Sequence, residues 1–96
     1  MWYCIIGTDR PGSGAARQAA RPAHLARLEA LRDAARLKLA GPFPASDAVD
    51  AAVTGSLIVA AFDDLAAARC WADADPYVEA GVYVEVSVRP FKAVLP

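Results

Sequence analysis

The sequence predicts an α+β domain in which four antiparallel strands form one sheet and two helices cover one of its faces. Three observations carry this reading. Four runs are rich in β-branched and aromatic residues, at Trp2–Thr8, Leu37–Phe43, Gly55–Phe62 and Val82–Arg89. Stretches of helical periodicity separate the first run from the second and the third from the fourth, whereas only a loop joins the middle two. A length of 96 residues suffices for a single core, so residues 1–96 are read as one domain.

In the first strand, Trp2, Cys4 and Ile6 alternate with Tyr3 and Ile5, so both faces are apolar and both are expected to be covered. Asp9–Gly14 reads as a loop; its glycines are wrongly spaced for a phosphate loop and no Gly-Lys-Ser/Thr follows. A helix is expected from about Pro22 to Arg36, since proline is tolerated in a first turn whose N–H groups lack partners. Gln18–Arg21 is either a lead-in turn or an earlier helical start. His24, Leu28, Leu31 and Ala35 recur at steps of four, three and four and share the inward face. The second strand is expected to close at Gly41-Pro42, and Pro44–Thr54 to form a loop. The third places Ser56, Ile58 and Ala60 on one side and Leu57, Val59 and Ala61 on the other. Asp63 is the expected N-cap of a second helix running to about Ala74. Phe62, Leu65, Arg69 and Ala72 follow one side of it. Pro76–Ala80 suits one short turn with Asp75 as cap and Gly81 as stop. In the last strand Val82, Val84, Val86 and Val88 alternate with Tyr83, Glu85, Ser87 and Arg89, and Pro90 is expected to end it.

The order strand, helix, strand, strand, helix, strand is the split βαβ, ferredoxin-like arrangement. Its uncovered sheet face, apolar in strands one and three, predicts a homodimer packed through that face.

Composition excludes several functions. The chain is 56% hydrophobic and 22% charged, which is globular rather than disordered. With a formal net charge of -1 and scattered basic residues, no nucleic-acid footprint is expected. No apolar run approaches the roughly 20 residues that span a bilayer, and no signal peptide is visible. A soluble cytoplasmic protein is expected. Cys4 and Cys70 form no Cys-x-x-Cys pair; they read as buried free thiols, with a disulfide left open. One histidine with dispersed carboxylates makes no metal site. No nucleotide or flavin motif implies an organic cofactor.

Several residues could carry chemistry. Histidine is the side chain that ordinarily titrates near neutrality, and His24, the only one, begins an inward-facing stripe. It is either a general acid/base or a core imidazole satisfied by a backbone carbonyl. Asp75 is either an Asp-Pro helix cap or the carboxylate that orients His24, and one carboxylate can do both. Ser56 could donate to a substrate oxygen, but no Gly-x-Ser-x-Gly elbow marks it as a nucleophile. Tyr77 and Trp71 suit a pocket for an aromatic shape, or the core. Arg21 faces either an anionic substrate or solvent. Gly41 either permits close backbone approach or makes a turn.

Arg21-Pro22-Ala23-His24-Leu25, Gly41-Pro42, Gly55-Ser56-Leu57, Trp71 before Asp75-Pro76-Tyr77, Ala80-Gly81-Val82 and Val88-Arg89-Pro90-Phe91 occur in this order. Together they resemble the YciI family (YCII-related domain) over nearly the whole chain. The resemblance implies a ferredoxin-like fold dimerising as an α+β barrel, and a His–Asp site in a pocket at His24 and Asp75. One branch of the family resembles a dehydrochlorinase acting on chlorinated hydroxyhydroquinone. Pro44–Thr54 lacks the glycine-rich character of many members. The expected function is acid/base chemistry by His24 and Asp75, an elimination or isomerisation, on a small cyclic or aromatic hydroxylated substrate. Arg21, Ser56, Tyr77 and Gly41 would line its site. The alternative is a dimeric module that binds a small ligand without reacting it.

Overall fold

The structure, a computed structural model, describes residues 1–96. Its elements are β1 (Trp2–Asp9), α1 (Gly14–Asp33), β2 (Leu37–Pro44), β3 (Val53–Ala61), α2 (Leu65–Asp73), α3 (Pro76–Glu79) and β4 (Tyr83–Phe91). The strands pair antiparallel throughout, in the order β2-β3-β1-β4. This is the ferredoxin-like sheet expected from the sequence. One face carries the core: Tyr3 and Ile5 of β1 and Ile58 and Ala60 of β3 meet Leu28 and Leu31 of α1 and Ala68 and Ala72 of α2. Each large apolar side chain buried there contributes roughly 1.5–3 kcal/mol. On the other face Trp2, Cys4 and Ile6 are only half-buried.

The expected barrel is not formed. The sheet is open, with β2 and β4 as edges that do not pair with each other, and the expected homodimer is not seen. Both edges carry prolines, Pro42 and Pro44 in β2 and Pro90 in β4. A proline has no N–H to give a neighbouring strand, so these edges are poor templates for closure.

Four local expectations are corrected. First, α1 begins at Gly14, and Pro22 lies inside it. Ser13, the N-cap, makes no side-chain bond and the first turn has no acidic residue, so no sequence signal marks this start. The alanines around Arg17 favour helix strongly enough to carry it through. At the other end α1 stops at Asp33. Ala35 takes a left-handed φ of 58°, and the N–H groups of Ala35 and Arg36 donate to the carbonyls of Arg32 and Leu31 at 2.9 and 2.8 Å. That is a Schellman closure. It leaves Ala35 exposed rather than on the inward stripe. Second, β2 runs on past Gly41-Pro42, which its edge position allows. Third, the N-cap of α2 is Asp64, one residue after Asp63; it accepts from the Ala67 N–H at 2.7 Å. Leu65 is consequently exposed. Fourth, Pro90 does not end β4 but lies opposite Tyr3.

A bulge in β4 matters most for the site. Thr8 lies opposite Glu85, but Asp9 lies opposite Tyr83, so Val84 has no partner. One extra residue reverses which side chains face inward. Tyr83 is therefore buried, while Val84 is 59% exposed. The Tyr83 ring lies so close over Gly7 that a Cβ at position 7 would collide with it. Cys4 is half-buried and Cys70 exposed, and both are free thiols, so Cys70 is not the buried thiol expected. No helix is long and apolar enough to cross a membrane.

Candidate active site

The inward stripe of α1 changes character along its length. Leu31 and Leu28 enter the core, His24 follows and is buried, and further steps of three and four lead back to Arg21 and Arg17. An apolar stripe thus becomes ionisable toward the amino end of the helix, above the ends of β3 and β2.

Asp75 arrives from α3. Its backbone is extended, Pro76 occupies the first helical turn, and its Oδ1 accepts from the Tyr77 N–H at 2.9 Å. The cap expected from Asp-Pro is present. The same carboxylate meets His24: Nδ1 lies 2.9 Å from Oδ1 and 3.0 Å from Oδ2. Both side chains are nearly sealed from solvent, at 7% and 4% exposure. A carboxylate offers only acceptors, so Nδ1–H is the donor, and in the neutral imidazole Nε2 keeps its lone pair. The bond spans 51 positions of sequence and ties α1 to α3.

Tyr77 completes this pair. Its ring stacks on His24 with centroids 3.9 Å apart and planes 14° from parallel. Tyr83 meets Tyr77 edge-on at 5.5 Å. Burial pushes the Tyr77 phenol upward, with Arg17 and Arg21 opposing. Burial likewise holds the Tyr83 phenol up at about 12, with hydrogen bonding to Ser56 opposing. Both rings therefore remain neutral near pH 7.

A second polar cluster adjoins the first. Arg17 donates to Asp9 through Nε (2.8 Å) and Nη2 (3.0 Å), and through Nη2 to Ser56 Oγ (2.7 Å). The guanidinium carbon lies 4.6 Å from the Tyr77 ring centroid. Burial works to lower the Arg17 pKa, but the hydrogen bond and charge of Asp9 outweigh it and the net direction is up. Arg17 is therefore a fixed cation. Because it spends a donor on Ser56, the Ser56 hydroxyl hydrogen is directed elsewhere.

Between α1 and the sheet lies a cavity of about 190 Å³. His24, Arg21, Ser56, Gly41 and Tyr77 line it, together with Arg17 and the apolar Leu25, Leu28 and Ile58. Asp75 is not on the wall and stands behind His24. A dry cavity of roughly 150 Å³ admits benzene, so this one has the size of a single substituted ring. Gly41 is in mid-strand with open space where a Cβ would be, so it neither makes a turn nor permits a close approach. Trp71 is off the wall, packed on Phe62 at 5.7 Å and under the Arg27 guanidinium at 4.2 Å.

Arg17, Asp9 and Tyr83 belong to the site yet were not among the candidates from sequence. Arg17 lies two helical turns before His24, a signal available only if α1 starts before Pro22. Tyr83 is hidden by the bulge, and Asp9 by its place at the end of a strand. No group of three or more His, Cys, Asp or Glu residues is arranged to hold a metal ion.

Fold and site together define a ferredoxin-like α+β protein with a buried histidine–carboxylate pair at a ring-sized cavity. The chain belongs to the YCII-related domain family, whose model matches residues 1–92. It is 55% identical to Protein YciI of Escherichia coli O6:H1 and to Protein YciI of Shigella flexneri, in each case over 98% of this chain and 99% of the relative. An uncharacterised protein of Haemophilus influenzae is 50% identical over the same shares. Among solved structures, the chain superposes with a TM-score of 0.86 and 29% identity on 5-chloro-2-hydroxyhydroquinone dehydrochlorinase from Burkholderia phenoliruptrix, in complex with 2,5-dihydroxybenzoquinone. That match covers 96% of this chain and 94% of the other.

Proposed function

We propose that this protein is an acid/base enzyme of the lyase or isomerase type acting on a small hydroxylated ring. The observation that carries the reading is the buried His24–Asp75 pair, whose geometry commits Nδ1 to the carboxylate and leaves Nε2 for a substrate. Likeness to a dehydrochlorinase in complex with a dihydroxybenzoquinone supports the class of substrate.

In this reading His24 Nε2 takes a proton from the substrate. The electron pair left behind forms the new π bond. In an elimination, the leaving group departs with its bonding pair, chloride in the dehydrochlorinase case. In an isomerisation, the proton returns at another atom. Asp75 holds the imidazole in the Nδ1–H tautomer and stabilises the imidazolium that forms. The ring lies over Leu28 and Ile58 with Ser56 beside it, Arg21 and Gly41 border the opening, and Tyr77 supports His24 by stacking on its ring. The site belongs to what we read as one domain, residues 1–96. The free thiols of Cys4 and Cys70 favour a reducing, cytoplasmic setting.

The test is chloride release from 5-chloro-2-hydroxyhydroquinone by the wild type and by His24→Ala. Positioned acid/base groups supply about 10²–10⁴-fold, so a loss of that size is expected, with binding of 2,5-dihydroxybenzoquinone retained. Equal turnover by the two proteins refutes the assignment. Ring binding by a wild type that turns nothing over would return the protein to a non-catalytic binding module.

A further inference from the structure

The ring-sized cavity adjoins a larger cleft of about 600 Å³ that shares Arg17, Arg21 and Pro42 with it. Arg10 and Gln18 also face this cleft, and Asp9 is the one carboxylate on its wall. Asp9 is fully engaged by Arg17, with both oxygens taken by the guanidinium fork. Asp75, behind His24, is engaged by His24 and Tyr77. Four ion pairs exist in the chain, and none includes Arg10 or Arg21. Arg17 itself is not used up: Nε and Nη2 make all three of its hydrogen bonds, and a guanidinium has five N–H donors. The two hydrogens on Nη1 have no partner, although the side chain is 13% exposed. Arg21, one helical turn from His24, and Arg10 therefore carry charge that no carboxylate of the chain pairs with, and Arg17 keeps two free N–H donors beside them.

We propose that the substrate binds as an organic anion, a ring whose anionic oxygen is held by Arg21 and by Nη1 of Arg17 while the ring faces His24. The inference rests on the cavity being a substrate site and adds the charge of the ligand. The arrangement suits proton abstraction. His24 becomes cationic next to Asp75 as it takes a further proton from the ring, and the added negative charge, delocalised over the ring oxygens, meets the Nη1 hydrogens of Arg17, already fixed in place by Asp9. Arg17, locked by Asp9, cannot swing; Arg21, exposed and unpaired, is the residue that reads the incoming charge.

The test measures binding of two probes by titration calorimetry. 2,5-Dihydroxybenzoquinone is a vinylogous acid and is anionic at neutral pH; 2,5-dimethoxybenzoquinone has the same ring and no acidic hydrogen. The wild type is expected to bind the anion at least about tenfold tighter, the worth of one charged hydrogen bond. Arg21→Gln should lose about that factor for the anion and leave the dimethoxy ring unchanged. The surface variant Arg32→Gln should alter neither. His24→Ala should keep the preference for the anion, which separates charge recognition from chemistry. Equal affinity for the two rings, or an equal loss of both in Arg21→Gln, overturns the inference and leaves the acid/base reading standing. If neither ring binds, both fall.

Discussion

Replacing Asp75 by asparagine isolates what the carboxylate does for His24. Asparagine has the same shape, and its single oxygen can still accept from the Tyr77 N–H, now 2.9 Å away. The helix cap therefore survives. The amide NH₂ must then take the second position, facing Nδ1 where a carboxylate oxygen stands at 3.0 Å. The retained oxygen also lies 2.9 Å from Nδ1 but is shared with the Tyr77 N–H, whereas the amide NH₂ has no acceptor except Nδ1; every group gains a partner only if the imidazole changes tautomer, with Nδ1 as the acceptor and the hydrogen on Nε2. The base that faces the cavity is thereby removed with no atom displaced. Where an orienting aspartate of this kind is exchanged for asparagine, the turnover number falls about 10⁴-fold, and a loss of that order is expected here. The stability cost is small, about 1 kcal/mol, because a hydrogen bond to a charged acceptor is exchanged for a neutral one. Asp75→Ala is different: it strands two buried donors and removes a cap, costing about 2–4 kcal/mol. Since His24 is the chain's only histidine, nitrogen NMR of protein labelled at histidine reads the tautomer without assignment. The wild type should show Nδ1–H and Asp75→Asn should show Nε2–H. An asparagine variant that keeps Nδ1–H, or that turns over within about tenfold of wild type, refutes the reasoning.

Two further predictions concern the surroundings of the pair. Tyr83 keeps its proton up to about 12 in the folded chain, against 10.0 when unperturbed, because it is buried. Between those values the unfolded chain has released the proton and the folded chain has not. Folding then binds the proton, so stability is complete below pH 10.0 and falls as pH rises toward 12. Urea unfolding followed across this range should show a steeper alkaline loss for the wild type than for Tyr83→Phe, and parallel curves would contradict the assignment. At Gly7, a methyl group would meet the Tyr83 ring, forcing it off Gly7 and away from Ser56. Gly7→Ala should cost about 1–3 kcal/mol by overpacking, measured as a lower urea midpoint with unchanged slope; an unchanged midpoint would show that the ring moves freely.

The sheet and its order were legible because the apolar runs had the right period and length, and because ferredoxin-like connectivity follows from their order. The dimeric barrel did not follow, since apolar faces say that a surface is sticky and not which geometry covers it. The start of α1 was missed for want of a capping residue at Ser13, and with it Arg17. Tyr83 was not singled out for the site, because alternation cannot register one extra residue in a strand.

Sequence by itself determined that one histidine starts an inward-facing stripe and that Asp75-Pro76-Tyr77 caps a short turn. Both facts are local, set by helical spacing and by the φ restriction of proline. That these two features meet across 51 positions was decided only by the tertiary structure. Packing of α1 and α3 on one sheet brings His24 within 2.9 Å of a carboxylate already held by the Tyr77 N–H. The bulge at Val84 then turns Tyr83 inward beneath Tyr77, and α1's early start adds Arg17 to the wall. A hydrogen bond depends on distances of tenths of an ångström between distant residues, and those distances exist only once the core beneath them has packed.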